Sequence, residues 1–328
     1  MASGMILGAD VGGTKTLIQA GSFDRGRWRP RLSRRYRNGD YAQFGAILRT
    51  FLRELQAKVS RSARIERACL AVAGPVQGGY VEMTNRAWRI DAAALARDFG
   101  LAKLRLVNDF EAAAAGIDSL APEAVVTIQH GVPLQGAPRA VIGAGTGLGV
   151  AYAARCGTRY RPLAGEGGHM AFGPATPEQA ALWQYLFDRA GRVTGEDIVS
   201  GPGLARIHAF VRERAGLPEA KSPVDPAVIV GLALDRADRS CMEALELFLA
   251  CYGAVAGDHA LAVNARGGVY LAGGIAPRIL PRFAAGGFLA AFNAKGAQST
   301  LAKQFPVYIV TDETLAATGA ALLAGTPG

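Results

Sequence analysis

Two glycine-rich segments have the composition of loops that bind phosphate groups. They read Asp10-Val11-Gly12-Gly13-Thr14 and Gly143-Ala144-Gly145-Thr146-Gly147-Leu148-Gly149. A turn that presents its backbone N–H groups to a phosphate needs residues that tolerate positive φ and close approach, which favours glycine. Thr14 and Thr146 add hydroxyl donors. Either segment alone is equally compatible with a plain β-turn, but the presence of both favours phosphate binding.

Neither segment matches the better-known phosphate loops. Residues 8–16 lack the Gly-Lys-[Ser/Thr] order of a P-loop, and Leu148 stands where a G-x-G-x-x-G fingerprint needs its last glycine. Asp10 would repel a phosphate unless a Mg²⁺ ion lay between them, directly or through water. Another glycine pair, Gly273-Gly274, follows an expected strand and is placed where an adenosine could lie against the backbone.

The pair Asn108-Asp109 follows an expected strand at residues 104–107. A carboxylate at the end of a strand can accept the proton of a hydroxyl that attacks phosphorus. Aspartate is also a common helix N-cap, and a helix is expected to begin near Glu111. From these residues alone, the cap is the favoured interpretation of Asp109.

The elements that must position these residues alternate between strand and helix, which favours an α/β architecture. We expect strands at 5–9, 15–20, 67–73 and 104–107, and helices at 41–59, 91–99 and from 111. Residues 140–153 repeat the strand, glycine loop and return strand of the amino terminus, which indicates two similar halves. The later expected elements are helices at 177–190, 203–215, 226–233, 241–264 and 314–323, and strands at 268–272 and 307–310.

Composition narrows the class of protein. A chain of 328 residues that is 50% hydrophobic and 19% charged can form two domains with substantial cores. Cys69, Cys156, Cys241 and Cys251 lack Cys-x-x-Cys spacing, so reduced and mostly buried thiols are expected.

No signal peptide is visible, and the charge-poor run 140–154 is too short to span a membrane, so a cytoplasmic location with no membrane partner is expected. The net charge of +9 comes largely from segment 25–37, with its seven arginines. Such a run is usually a solvated hairpin or loop, and with no nucleic-acid-binding motif beside it we expect no nucleic-acid partner.

Five motifs, in order along nearly the whole chain, resemble those of bacterial glucokinases. They are the two glycine-rich segments, Asn108-Asp109-Phe110, Gly165-Glu166-Gly167-Gly168-His169 and Leu271-Ala272-Gly273-Gly274-Ile275. Two further segments agree with the family: Met83-Thr84-Asn85-x-x-Trp88, and Glu196 before Ser200-Gly201-Pro202-Gly203.

The resemblance implies the two-domain, ribonuclease H-like fold that actin, Hsp70 chaperones and hexokinases share, with ATP and sugar in an interdomain cleft. We expect a small α/β domain over 1–110, completed by a C-terminal helix at 312–328, and a large one over 111–311. The implied activity is ATP-dependent phosphorylation of glucose at its C6 hydroxyl by a cytoplasmic, homodimeric enzyme of glycolysis.

The resemblance also implies site roles. Asp109 becomes the catalytic base rather than a cap, and the residues that bind sugar hydroxyls are Asn108, Asp109, Glu166, His169 and Glu196. The implied nucleotide ligands are Asp10, Gly12, Gly13, Thr14, Gly145, Thr146, Gly147, Gly273 and Gly274. Asp10 is also the implied ligand of Mg²⁺, directly or through water.

Several alternatives stay open at this point. The substrate could be mannose or glucosamine, the donor could be ADP or polyphosphate, and Glu166 and His169 could merely decorate a loop. A non-catalytic sugar sensor and an actin-like or chaperone ATPase would use the same fold. Lys15 departs from glucokinases and is frequent in the related ROK family, but residues 170–200 contain no cysteine for that family's zinc motif.

Overall fold

The computed structural model describes residues 4–83, 88–218 and 222–326. The chain divides into two compact units. Unit 1 consists of Met1–Pro122, Tyr160–Ala164 and Asp312–Gly328, and unit 2 of Glu123–Arg159 and Gly165–Thr311. The assignment of 1–110 and 111–311 to a small and a large domain stays a prediction.

Strands and helices alternate through the first part of the chain, and helices dominate the second. The strands are β1 (Met5–Val11), β2 (Lys15–Asp24), β3 (Arg27–Arg37), β4 (Ile65–Val72), β5 (Tyr80–Glu82), β6 (Arg89–Asp91), β7 (Lys103–Asn108), β8 (Val125–Gln129), β9 (Arg139–Ala144), β10 (Leu148–Cys156), β11 (Arg159–Gly165), β12 (Val269–Ala272) and β13 (Val307–Val310). The helices are α1 (Phe44–Lys58), α2 (Ala92–Phe99), α3 (Asp109–Gly116), α4 (Pro177–Ala190), α5 (Gly195–Ile198), α6 (Gly201–Arg214), α7 (Pro226–Leu234), α8 (Arg239–Ala262), α9 (Leu280–Phe283), α10 (Gly287–Asn293), α11 (Ser299–Ala302) and α12 (Leu315–Gly325).

The main sheet of unit 1 has the strand order β3-β2-β1-β4-β7. Strands β1, β4 and β7 are parallel, so their carboxyl ends meet at one edge of the sheet. The C-terminal helix α12 packs on β1 at Gly8, where any side chain would collide with the carbonyl of Ala317. Glycine at this position therefore permits the close approach of helix and strand that joins the two ends of the chain in unit 1.

The arginine-rich segment 25–37 forms the outer strand of this sheet. Arg25 and Gly26 both have positive φ, and they turn the chain from β2 into β3. Leu32 and Tyr36 are buried, while the arginines of β3 are half-buried or exposed. Of the two structures expected for this segment, the hairpin is confirmed and the loop is wrong.

The sheet of unit 2 contains the strand order β10-β9-β12-β13-β8. Here β9, β12 and β13 are parallel, and the hairpin β9–β10 repeats the arrangement of β1–β2. The two similar halves expected from the sequence are confirmed at the level of these sheets.

Helix α8 forms the centre of the unit 2 core. By length and composition it is the only helix of the described residues that could cross a membrane, but 78% of its most apolar window is buried inside the fold. Its apolar character is therefore that of a core helix. The cysteines follow the expectation of mostly buried thiols, since only Cys156 is exposed.

Candidate active site

The first glycine loop is the turn between β1 and β2, closed by a hydrogen bond from the Gly12 N–H to the Lys15 carbonyl (3.1 Å). The fully buried Asn38 braces this turn from the end of β3. Its Nδ2 donates to the Gly12 carbonyl (2.8 Å), its Oδ1 accepts from Thr16 Oγ1 (2.8 Å), and its backbone N–H donates to the Thr14 carbonyl (2.9 Å). A single side chain thereby fixes the loop at both ends, while Thr14 stays exposed.

Asp10 lies at the end of β1 and is half-buried. Burial raises the pKa of its carboxyl to about 6, against the opposing effect of the Lys15 and Arg35 charges. Lys15 and Arg35 both face Glu313, at 3.7 and 2.8 Å. A hard divalent cation would offset the cost of ionising Asp10, so the residues present fit Mg²⁺ bound directly or through water. The ammonium group of Lys15 favours the charged form of Asp10.

Asn108 and Asp109 lie at the carboxyl end of β7. Val11 pairs with Val72 and Val72 with Asn108, so the ends of β1 and β7 lie two strand spacings apart, about 10 Å. Asn108 Oδ1 accepts from the N–H groups of Phe110 (2.9 Å) and Glu111 (3.2 Å), which makes Asn108 the N-cap of α3.

The interpretation of Asp109 as the cap is therefore wrong, because α3 begins at Asp109 itself, two residues earlier than expected. Asp109 Oδ1 accepts from the Phe110 N–H at 2.9 Å. A carboxylate in the first turn of a helix is stabilised by the unpaired N–H groups and the helix dipole. Asp109 thus stands where a negatively charged side chain is favoured, and it is half-buried rather than enclosed.

The second glycine loop joins β9 to β10 and is tied to two other segments of unit 2. The Gly145 N–H donates to the Gly147 carbonyl, and the Gly201 N–H at the start of α6 donates to the Gly145 carbonyl, both at 2.8 Å. Glu196 Oε2 accepts from the Leu148 N–H at 2.8 Å. A side chain at Gly147 would collide with this carboxylate, so glycine is required there for contact between the loop and Glu196.

The glycine pair after β12 lies at the same edge of the unit 2 sheet as the second loop. Ala272 pairs with Gly143, and the Ile275 N–H donates to the Ala144 carbonyl at 3.2 Å. Gly273 has a φ of 86°, and a Cβ there would lie 2.7 Å from the Ala144 carbonyl oxygen. The structure therefore brings together the second and third glycine segments, with Thr146, Gly273 and Gly274 exposed.

Glu166, His169 and Glu196 lie on two neighbouring segments of unit 2. Residues Gly167–His169 form a short 3₁₀ turn after Glu166, and the Gly195 N–H donates to the Met170 carbonyl at 2.9 Å. Thr194 and Asp197 form a capping box that holds α5, the helix that carries Glu196. Glu166 and His169 are exposed and Glu196 is half-buried, so all three can reach a ligand.

Some predicted features fall elsewhere. Thr84 and Asn85 lie outside the described residues, although Met83 and Trp88 on either side are buried. A cavity of about 890 Å³ between α4 and α6 is lined by none of the predicted site residues. Within the described residues, His208, Asp238 and Cys241 form the only cluster of metal-ligand type. Asp238 is the N-cap of α8, and Ser240 hydrogen-bonds both Asp238 and His208, so local structure accounts for the cluster.

Asn38 is the principal site residue that sequence reasoning missed. The available signal was an Asn-Gly-Asp turn directly after a long polar strand, but nothing in that turn indicates a partner 26 residues earlier in the chain. The link between Glu196 and Leu148 was likewise not predicted.

Comparison with known proteins agrees with this arrangement. The sequence model of the family described as Glucokinase matches residues 7–326. A glucokinase of Mesorhizobium japonicum is 41% identical over 266 residues, which cover 81% of this chain and 77% of the relative. The crystal structure of a glucokinase from an Antarctic psychrotroph superimposes with a TM-score of 0.84 at 31% identity, covering 98% of this chain and 99% of that one.

The fold is also that of a more distant protein, a ROK family glucokinase from Streptomyces griseus solved with glucose and AMPPNP (TM-score 0.64, 19% identity, 98% and 99% covered). The fold and the paired glycine loops define a sugar kinase of the actin-like ATPase class. Within that class, the chain belongs to the glucokinase family.

Proposed function

We propose a residue-level account of how this chain phosphorylates glucose. The protein is an ATP-dependent glucokinase that yields glucose 6-phosphate and ADP, in keeping with its family and its relatives. The observation that carries the residue assignments is the hydrogen bond between Glu196 and the Leu148 N–H. It joins a carboxylate suited to sugar hydroxyls to the backbone of a loop suited to phosphate.

Asp109 is the proposed catalytic base. Its carboxylate accepts the proton of the C6 hydroxyl as the hydroxyl oxygen forms its bond to the γ-phosphorus, and the bond from that phosphorus to the ADP oxygen breaks in line. Asn108 uses its Oδ1 for the helix cap, which leaves its Nδ2 to donate to a sugar hydroxyl. Position at the start of α3 supports a charged Asp109.

Glu166, Glu196 and His169 are the proposed sugar ligands of unit 2. Sugar hydroxyls both donate and accept, so a site needs ionised carboxylates as acceptors and an imidazole or amide N–H as donor. Glu196 uses Oε2 for the Leu148 N–H, and its Oε1 is the proposed acceptor for the sugar.

The nucleotide is assigned to the glycine segments. The first loop (Gly12, Gly13 and Thr14) and the second (Gly145, Thr146 and Gly147) are the proposed phosphate-binding turns, while Gly273 and Gly274 lie against the adenosine. The N–H groups of Gly12 and Gly145 close these turns, so the hydroxyls of the exposed Thr14 and Thr146 are the proposed side-chain donors to the phosphates. Asp10 holds Mg²⁺, directly or through water. When bound, that ion neutralises charge on the phosphate oxygens.

The proposal also covers the cellular location, the oligomeric state and the domain boundaries. It makes the protein a cytoplasmic homodimer of glycolysis with a small domain over 1–110 and 312–328 and a large domain over 111–311. The resemblance of its motifs to bacterial glucokinases supports these assignments. Light scattering on the purified protein tests the dimer, and limited proteolysis tests the domain boundary.

The experiment for the activity is a coupled ADP-release assay with MgATP and a panel of glucose, mannose and glucosamine. We expect sugar-dependent turnover with the highest kcat/KM for glucose, and product that glucose-6-phosphate dehydrogenase oxidises. ADP release without sugar would instead identify an ATPase, and sugar binding without turnover would identify a sensor. Replacing ATP by ADP or polyphosphate identifies the donor.

A further inference from the structure

A partly buried hydroxyl–imidazole pair lies behind the loop that carries Glu166 and His169. Tyr152 of β10 and His259 of α8 are hydrogen-bonded between Oη and Nδ1 at 2.8 Å. Because side chains alternate along a strand, Leu148, Val150 and Tyr152 share one face of β10. Tyr152 and His259 are 107 positions apart in the chain.

This face of β10 and the side chain of His259 together support the loop at Gly167 and Gly168. A Cβ at Gly167 would lie 2.7 Å from His259 Cε1 and 3.0 Å from Val150 Cβ, and one at Gly168 would collide with the Leu148 carbonyl. The imidazole of His259 also makes a polar interaction with the Gly167 backbone. The loop therefore rests directly on His259, which is hydrogen-bonded in turn to Tyr152, with Glu166 on one side of Gly167 and His169 two residues beyond it.

The protonation states follow from burial. His259 is 4% exposed, and burial lowers the pKa of its imidazole, against the opposing effects of Asp258 and the Gly167 backbone. Burial also raises the pKa of Tyr152, so its phenol keeps the proton. A neutral imidazole carries one N–H and one unprotonated nitrogen, so with Nδ1 unprotonated it accepts from the Tyr152 hydroxyl.

We propose that Tyr152 and His259 are positioning residues for the sugar site: they fix the backbone at Gly167 and thereby direct Glu166 and His169 toward the sugar. This inference rests on the proposed function, because it takes those two residues as sugar ligands. Neither Tyr152 nor His259 touches the substrate. Their effect on catalysis is confined to sugar affinity.

The chain offers a matched control in His208. It is also 4% exposed, burial also lowers the pKa of its imidazole, and its Nε2 also meets a hydroxyl, Ser240 Oγ, at 3.1 Å. Its other polar neighbours are Cys241 and Asp238 at the start of α8. His208 therefore reports what the loss of a buried, hydrogen-bonded histidine does to the protein away from the sugar loop.

The test compares Tyr152→Phe, His259→Leu, His259→Gln and His208→Leu in steady-state kinetics and thermal unfolding. We expect His259→Leu to raise KM for glucose about 3- to 10-fold and Tyr152→Phe about 2- to 4-fold, since each removes hydrogen bonds that orient the loop. KM for ATP stays within about twofold of wild type. His259→Gln recovers part of the loss, because its amide both donates and accepts.

His208→Leu should lower Tm and leave KM for glucose unchanged. The inference is overturned if His259→Leu and Tyr152→Phe lower Tm as His208→Leu does but keep the wild-type KM for glucose, or if they raise KM for ATP equally. Tyr152→Phe removes a single hydroxyl oxygen and disturbs packing less than His259→Leu. It can therefore decide the test by itself if His259→Leu fails to fold. Failure of the proposed function is distinguishable, since the wild-type protein itself would then show no glucose-dependent turnover.

Discussion

The two glycine loops have similar strand–turn–strand frames but are braced by groups of opposite character. The loop of unit 1 is held by Asn38, a neutral and fully buried residue whose side-chain amide hydrogen-bonds to the loop at Gly12 and to the flanking strand at Thr16. The loop of unit 2 is held by Glu196, a half-buried carboxylate that is also a proposed sugar ligand. The first brace contacts the loop alone, whereas the second is proposed to couple phosphate binding to sugar binding.

The carboxylates beside the two loops, Asp10 in unit 1 and Glu196 in unit 2, also differ in their surroundings. In unit 1, Asp10 lies on the strand that leads into the loop, and its negative charge is opposed by burial. In unit 2, Glu196 Oε2 accepts a hydrogen bond from a backbone N–H of the loop itself, that of Leu148. A cation is therefore proposed for the loop of unit 1 and none for the loop of unit 2.

Among the variants that test this comparison of the two loops, the largest effect is expected from Asp10→Asn. Loss of the proposed Mg²⁺ ligand should lower kcat/KM for MgATP by about 10²–10³-fold. Burial raises the pKa of the Asp10 carboxyl in the folded protein above 3.8. The ionised carboxylate therefore destabilises the fold progressively as pH rises from about 4 to about 6. At pH 7, replacing the carboxylate by an amide should therefore raise the free energy of unfolding of the nucleotide-free protein by about 1–2 kcal/mol. This is less than the free energy that corresponds to the whole pKa shift, because solvent screens part of the charge.

Steady-state kinetics and urea unfolding at pH 4 and pH 7 measure both effects of Asp10→Asn. Near-normal activity together with unchanged stability would remove the distinction drawn between the two units. Lower stability at pH 7 would contradict the effect of burial on Asp10.

The next effect is expected from Glu196→Ala, which removes the carboxylate from the second loop. We expect kcat/KM for glucose to fall about 10- to 100-fold and KM for ATP to rise as well, because the Leu148 N–H loses its acceptor. Glu196→Gln keeps an acceptor and should recover part of the ATP effect. Glu166→Ala is the matched control, since Glu166 is exposed and should alter the KM for glucose alone.

Titration of both substrates in these three variants gives the comparison. If Glu196→Ala changed only the kinetic constants for glucose, as Glu166→Ala is expected to do, the result would contradict the proposed coupling between sugar binding and phosphate binding in unit 2.

The smallest effect is expected from Asn38→Ala. This change leaves the Gly12 carbonyl and the Thr16 hydroxyl without their partner, which should lower the free energy of unfolding by about 2 kcal/mol. KM for ATP should rise a few-fold as the first loop loosens, and KM for glucose should not change. Thr16→Val removes only one of the hydrogen bonds and should show about half the loss in urea unfolding; a change in KM for glucose would show that this brace is not purely structural.

The local parts of this fold could be predicted from the sequence. The two hairpins, α1 with its buried Phe44 and Phe51, and α4 follow from spacing and turn residues over short windows. Helix α6 begins at Gly201, two residues before the expected start at residue 203, because Ser200 is its N-cap. The cap at Asn108 was missed for a similar reason, since two adjacent residues are both good N-caps.

The braces of the site could not be predicted in this way. Asn38 reaches back 26 residues to Gly12, Glu196 reaches 48 residues to Leu148, and His259 reaches 107 residues to Tyr152. These contacts depend on how strands and helices pack, and no local pattern in one sequence specifies them. The residues suited to chemistry were visible, but the residues that hold them were not.

The most direct test of the account is Asp109→Asn, measured against Asn108→Ala. Because Asn108 caps α3, Asp109→Asn should leave the fold and KM for glucose nearly unchanged while kcat falls about 10²–10⁴-fold. Asn108→Ala should lower the free energy of unfolding by about 1 kcal/mol through loss of the cap. Near-normal kcat in Asp109→Asn would contradict the assignment of Asp109 as the base.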